Sequence, residues 1–273
     1  MRILFVGDIF GKPGREIARR AIPALIERES LDYVIANVEN SAAGFGVTGD
    51  IADAILSYGV DAMTTGNHVW DKKEVLDYIP RQAKLLRPAN LVPGTPGRGS
   101  YLGRTRSGEA IGVINVMGRI FMQPVDDPFA IVLKEIEALR AKTRVIIVDF
   151  HAEATSEKVA MGWHLDGRVT GVFGTHTHVQ TADERILPKG TACFTDAGMT
   201  GPHESIIGVT VDAALGRFLN GMPAKFEAAS GPGRLNAVII TADPSTGRAT
   251  AIQRLNMSAA EVDALAVRAT TQG

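Results

Sequence analysis

The side chains with the strongest chemical content are Asp8, the pairs Glu39-Asn40 and Asn67-His68, and three further imidazoles, His151, His176 and His178. Each group follows an apolar run: Asp8 after ILFVG, Glu39-Asn40 after YVIANV, Asn67-His68 after DAMTTG, and the imidazoles after VIIVDF and VTGVFGT. Strand ends are where an α/β sheet presents its chemistry. Carboxylate, carboxamide and imidazole are the oxygen and nitrogen donors of divalent cations. A phosphate ester is attacked slowly because nucleophile and electrophile are both poorly charged for the reaction. Two cations about 3.5–4 Å apart answer both problems, lowering the pKa of a bridging water towards ~7 and neutralising the phosphoryl oxygens. In such a scheme Glu39 bridges the ions and Asp8 is a terminal ligand of the first. Asn67 gives a neutral oxygen to the second, and His151 completes that site. His176 and His178 stand two apart in G-T-H-T-H, and in an extended segment both would point the same way, one to each metal.

The elements that must position these groups alternate in the first third of the chain. Ile3–Val6 is a run fit for a buried strand. Pro13 then opens a helix whose Ile17, Ala18, Ala21, Ile22, Leu25 and Ile26 form one stripe, with Pro23 expected to kink or split it. Tyr33–Val38, Ile51–Tyr58 and Ala62–Thr65 continue as strand, helix and strand, an order that implies a parallel sheet. Pro88 to Gly108 reads as loop. Ile111–Val116, Arg144–Phe150, Val169–Phe173 and Thr191–Thr195 read as strands, and Asp127-Pro128 caps a helix. Ala224–Ala229, Leu235–Thr241 and Ala249–Arg254 read as antiparallel hairpin strands, and Ser258 with Glu261 as a capping box. The expected fold is α/β: two stacked mixed sheets flanked by helices, in a single domain over residues 1–273.

Composition removes several function classes. With 45% hydrophobic and 22% charged residues the chain is an ordinary globular sequence, and its formal net charge of −1 argues against a stable complex with long nucleic acid. Cys193 is the single cysteine, so thiolate-rich zinc and iron–sulfur sites are excluded and no internal disulfide can form. No apolar run approaches the roughly 18 residues of a membrane span, and the start MRILFVGD is too short for a signal h-region, so a cytoplasmic location is expected. No heptads or long exposed apolar helix mark an interface, which leaves homo-oligomerisation open. The spacing of Gly7, Gly11 and Gly14 is not the dinucleotide fingerprint, and no serine sits in a G-x-S-x-G frame.

Other residues have plainer explanations. His164 belongs to a helix-to-turn region, and His203 follows a loop that would border the site. Thr200 and Gly201 suit a tight turn better than a phosphate contact. Arg98, Arg104 and Arg106 suit a solvated hairpin, and Cys193 suits packing. Asp183 and Glu184 would either orient a ligand imidazole or form a surface pair.

The blocks G-D-I-F-G (7–11), N-V-E-N (37–40), T-G-N-H-V-W (65–70), F-H-A-E-A-T-S-E-K (150–158), G-T-H-T-H-V-Q-T-A-D (174–183) and D-A-G-M-T-G-P (196–202) together resemble the calcineurin-like metallophosphoesterase superfamily, and within it the YmdB-type bacterial branch. The resemblance implies a double β-sandwich, a di-metal centre, and phosphodiesterase activity on small substrates, notably 2′,3′- or 3′,5′-cyclic nucleotides. It implies Asp8, Glu39, Asn67, His151, His176 and His178 as ligands, Asn40 as a further ligand of the first metal, and His68 as the general acid. Two positions depart from the superfamily pattern: Phe10 replaces the histidine of D-x-H, and Glu39 stands where Asp is usual. The ions would be divalent or mixed-valence iron, manganese or zinc. The substrate would be a small phosphodiester. Two alternatives remain: a phosphomonoesterase or nucleotidase on the same site, and a regulatory protein that senses a nucleotide with little turnover.

Overall fold

The computed structural model describes residues 1–223 and 225–270. From the N-terminus the chain forms β1 (Arg2–Val6), β2 (Asp8–Ile9), α1 (Gly11–Arg28), β3 (Tyr33–Asn37), α2 (Gly49–Ser57), β4 (Ala62–Thr64) and a short α3 (Val75–Tyr78). It continues with β5 (Ser100–Arg104), β6 (Ala110–Met117), α4 (Pro128–Arg140), β7 (Ile146–His151), α5 (Thr155–Leu165) and β8 (Gly171–Thr175). Last come β9 (Arg185–Ile186), β10 (Ala192–Phe194), β11 (Met199–Pro202), α6 (Val211–Asn220), β12 (Gly233–Ala242), β13 (Ala249–Ser258) and α7 (Ala259–Thr270).

These strands make two mixed sheets. In the first, β1, β3 and β4 run parallel, and β12 runs antiparallel beside β1. Ala237–Thr241 of β12 pair with β1, Gly233 and Arg234 of the same strand pair with β11, and β11 carries β2 on its other side. β13 covers the opposite edge of β12. The second sheet has the order β5-β6-β7-β8-β10-β9, with antiparallel strands at both edges and parallel ones between.

Strand alternation stacks the two sheets. Ile3, Phe5, Tyr33 and Ile35 pack with Ile111, Val113, Ile147 and Phe173 in a core between the sheets, where the rings of Phe5 and Phe173 lie 5.3 Å apart. Leu4, Val6, Val34 and Ala36 point to the other face, against Ile17, Ala18, Ala21, Ile22 and Leu25 of α1. The second sheet is covered likewise by Val132 and Ile136 of α4 and Met161 and Leu165 of α5. With both faces buried, each fully covered aliphatic side chain contributes about 1.5–3 kcal/mol, and the strands read as continuous apolar runs.

Several sequence expectations need correction. Pro23 does not split α1, which runs unbroken to Arg28. Pro23 and Arg19 both lie on the exposed face, so the Arg19 carbonyl that loses its helical donor is open to water. The stretch from Pro88 to Gly108 is not all loop, because Ser100–Arg104 pair with β6 as an edge strand. Backbone pairing decides there, and a short half-exposed edge carries little apolar signal. Ala224 lies outside the described residues, and residues 225–229 form no strand, only a lone bridge from Ala228 to Val209. Finally, α6 is an exposed apolar helix, with Val211, Leu215, Phe218 and Leu219 facing solvent.

Candidate metal centre

The carboxyl ends of β1, β3 and β4 in one sheet and of β7 and β8 in the other converge on one place. Asp8, Glu39 and His151 are buried there, with Asn40. Glu39 lies at the middle. Its Oε1 is 3.0 Å from His151 Nε2, and its Oε2 accepts the His68 backbone N–H at 3.0 Å. Burial pushes the Glu39 pKa up, but His151 and the His68 N–H outweigh that and hold it down at about 2. Asp8 has one oxygen accepting the His176 N–H at 3.2 Å and the other, Oδ1, buried without any partner. Burial raises the Asp8 pKa, against the pull of His178 and His151.

Each of the three imidazoles has one ring nitrogen committed outward. The Thr175 hydroxyl donates to Asp149 at 2.7 Å, so it accepts from Nδ1–H of His151 at 2.9 Å. His178 Nδ1–H donates to the Ile207 carbonyl at 2.8 Å, and His176 Nε2–H donates to Glu153 at 3.1 Å. The remaining nitrogens therefore turn lone pairs inward. His151 Nε2 lies 2.9 Å from Asn67 Oδ1 and 3.1 Å from His176 Nδ1. His178 Nε2 lies 3.0 Å from the Asn40 amide and 3.9 Å from Asp8 Oδ1. Glu39, His151 and His176 place one ligand atom each within 4.8 Å of one another.

Such a gathering of acceptors is unstable unless positive charge sits among them. The electrostatics make the same demand for positive charge: against the desolvation that lowers it, Glu39 and Asp8 raise the His151 pKa to about 9, drawing to Nε2 a proton that a cation would displace, while burial and the His151 charge push His176 down to about 3. A cation satisfies all these lone pairs at once, and outward hydrogen bonds of this kind are what orient metal-binding imidazoles. The residues present fit a metal ion on the orphaned Asp8 oxygen and the donor chemistry alone.

The segment holding His176 and His178 is not extended as its spacing suggested. β8 ends at Thr175, and the two histidines have φ of 103° and 65°, in the left-handed region. Asp196 pins the turn by accepting the Thr177 N–H at 3.2 Å and its hydroxyl at 2.7 Å, while Lys158 reaches the same carboxylate at 2.6 Å. Gly66 has no room for a side chain, since a Cβ there would stand 2.1 Å from His151 Cδ2.

His68 sits beside this cluster. Its Nδ1–H donates to Asp71 at 2.8 Å, its ring meets Phe45 edge-on at 5.1 Å, and it lines a cleft of about 640 Å³ with Glu39, Asn40, His176 and His178. Phe10, in the place of the superfamily histidine, packs edge-on to the His178 ring at 5.5 Å.

Other sequence candidates lie elsewhere. His164 bonds the Phe129 carbonyl, His203 bonds that of Met199, and Thr200 bonds that of Asn236. Asp183 accepts from Thr181 and Thr195, and Glu184 pairs with Arg254, so neither orients a ligand imidazole. Arg106 pairs with Asp61, and burial pushes the Cys193 thiol up to about 11. Sequence reasoning missed Asp149, Glu153, Asp196 and Lys158. Asp149 had a visible signal, a carboxylate within the apolar run VIIVDF, where burial raises it to about 7. Glu153 had none, since an exposed glutamate before a helix is ordinary.

Comparison with known proteins gives a consistent result. The family profile described as YmdB-like protein matches residues 4–255. A 2′,3′-cyclic-nucleotide 2′-phosphodiesterase of Bacillus subtilis (strain 168) is 47% identical over 256 residues, covering 93% of this chain and 96% of its own. A crystal structure of a hypothetical protein from Thermus thermophilus superposes with TM-score 0.88 at 43% identity, covering 94% of this chain and 99% of that one. A novel phosphatase from Mycoplasma pneumoniae superposes with TM-score 0.89 at 34% identity, covering 94% and 93%.

Proposed function

Because the chain belongs to the YmdB-like family and is therefore a hydrolase of phosphoric esters, we propose that it is a metal-dependent phosphodiesterase acting on 2′,3′-cyclic nucleotides. The observation that supports this most is the set of outward hydrogen bonds from His151, His176 and His178, which leaves their lone pairs facing Glu39 and Asp8. In this scheme Asp8, Asn40 and His178 would hold one ion, Asn67, His151 and His176 would hold the other, and Glu39 would be available to both. Two ions held there would supply Lewis acidity towards a phosphoryl oxygen and an activated water at neutral pH.

The rest is done by the chain itself. Asn67 and Asn40 contribute neutral donors, which keeps the site positive enough to bind an anionic diester. Glu153 and Thr175 fix two imidazole tautomers. His68 lines the cleft with Nδ1–H committed to Asp71, so in its imidazolium form the second proton, on Nε2, would pass to the departing ribose oxygen and leave the neutral ring. A cyclic ester suits this arrangement because the leaving oxygen remains tethered close to the acid.

The test compares 2′,3′-cyclic AMP, 3′,5′-cyclic AMP and p-nitrophenyl phosphate with manganese-loaded protein. Opening of the 2′,3′-cyclic ester at a kcat/KM at least tenfold above the other two is expected. Preference for the monoester would make the protein a phosphomonoesterase, and tight nucleotide binding without turnover would make it a sensor.

A further inference from the structure

Half of the cleft serves no purpose in phosphorus chemistry. Beyond the ligand cluster its wall is built from Phe45, Ile207, Val209, Arg217, Phe218 and Phe226. Phe45 comes from the loop after β3, and the others from the segment around α6. Phe218 is 80% exposed, an apolar ring left in water beside an anion-binding site. The Arg217 guanidinium stacks over Phe226, 5.3 Å from its centroid, and presents a planar cation in the same wall. Phe226, Val209 and Ala214 pack on Phe10, which itself touches His178, so the wall is continuous with the metal-ligand cluster.

A diester made only of phosphate and sugar is polar and gains nothing from such a surface. Aromatic rings and stacked guanidinium planes are the groups on which nucleobases lie. The volume of about 640 Å³ is of the size that takes one small ligand. We propose that this wall is the base subsite: with the phosphate at the ligand cluster, the base stacks on Phe218 and Phe45, with Arg217 beside it. Stacking reads no base edge, so the subsite accepts all four bases. This assignment rests on the diesterase function proposed above.

The test uses Phe218→Ala, a surface substitution that leaves the buried core intact, with two substrates: 2′,3′-cyclic AMP and methyl riboside 2′,3′-cyclic phosphate, which lacks a base. Loss of stacking should lower the ratio of kcat/KM for the nucleotide over the base-free ester about tenfold. A ratio unchanged within twofold overturns the base subsite even though both esters are hydrolysed. If the wild-type chain opens neither ester, the diesterase function fails on its own account. The subsite is then judged by equilibrium dialysis with AMP: weaker binding to Phe218→Ala upholds it, and equal binding to both proteins overturns it.

Discussion

At the scale of single residues, the proposed scheme separates holding a cation from moving a proton. Glu39 touches His151 and the His68 backbone, whereas the His68 ring touches Asp71 and Phe45. Glu39→Gln should therefore strip metal and activity together, and His68→Ala should strip activity alone. The expected loss for His68→Ala is about 10²–10⁴-fold in kcat with an alkoxide leaving group. It should be far smaller with p-nitrophenolate, which departs without a proton. Metal analysis beside steady-state kinetics on both leaving groups checks the pair; full activity of His68→Ala on the alkyl ester would remove it from the acid role.

At the scale of elements, the turn after β8 carries the most demanding geometry. His176 and His178 both sit at positive φ, conformations that cost about 1–3 kcal/mol each unless the surroundings impose them. Asp196 supplies that constraint through Thr177 while neutralising the buried Lys158. Asp196→Ala should cost roughly 3–5 kcal/mol, since it strands a buried ammonium. Adding Lys158→Met should restore much of the stability but not the metal affinity, because the turn would still lack its pin. Denaturant unfolding and metal titration separate the two effects. This turn also shows where the sequence stopped being informative. Asp8, Glu39, Asn67 and His151 were legible because each follows a run whose burial is dictated by both sheet faces. The arrangement of His176 and His178 was not, since their backbone is set by hydrogen bonds to residues nineteen positions and more away. β5 and α6 escaped for a related reason: an edge strand and an exposed apolar helix lack the burial that makes a pattern readable.

At the scale of the whole molecule, the centre joins the two sheets. Asp8, Glu39 and Asn67 follow strands of the first, and His151, His176 and His178 belong to the second. An ion bound between them binds the folded state only, so removing it should lower the unfolding temperature. At metal concentrations a hundred times Kd the linkage is about 2.7 kcal/mol, which for a chain of this size corresponds to roughly 5 °C. Calorimetry with and without a chelator measures it, and an unchanged transition would mean that the cluster takes no cation tightly.

The pairing of Ile3 with Ile240 sets a timetable for biosynthesis. β1 leaves the ribosome well before β12, so one edge of it stays open until β12 has been translated, roughly ten to fifty seconds later at about 5–20 residues per second. β2 waits similarly for β11, so Asp8 acquires its final position only once residues 199–202 have been made. A nascent chain stalled before Gly233 should therefore be an aggregation-prone intermediate with an unsealed strand, and it should hold no cation tightly until β11 and β12 have been made.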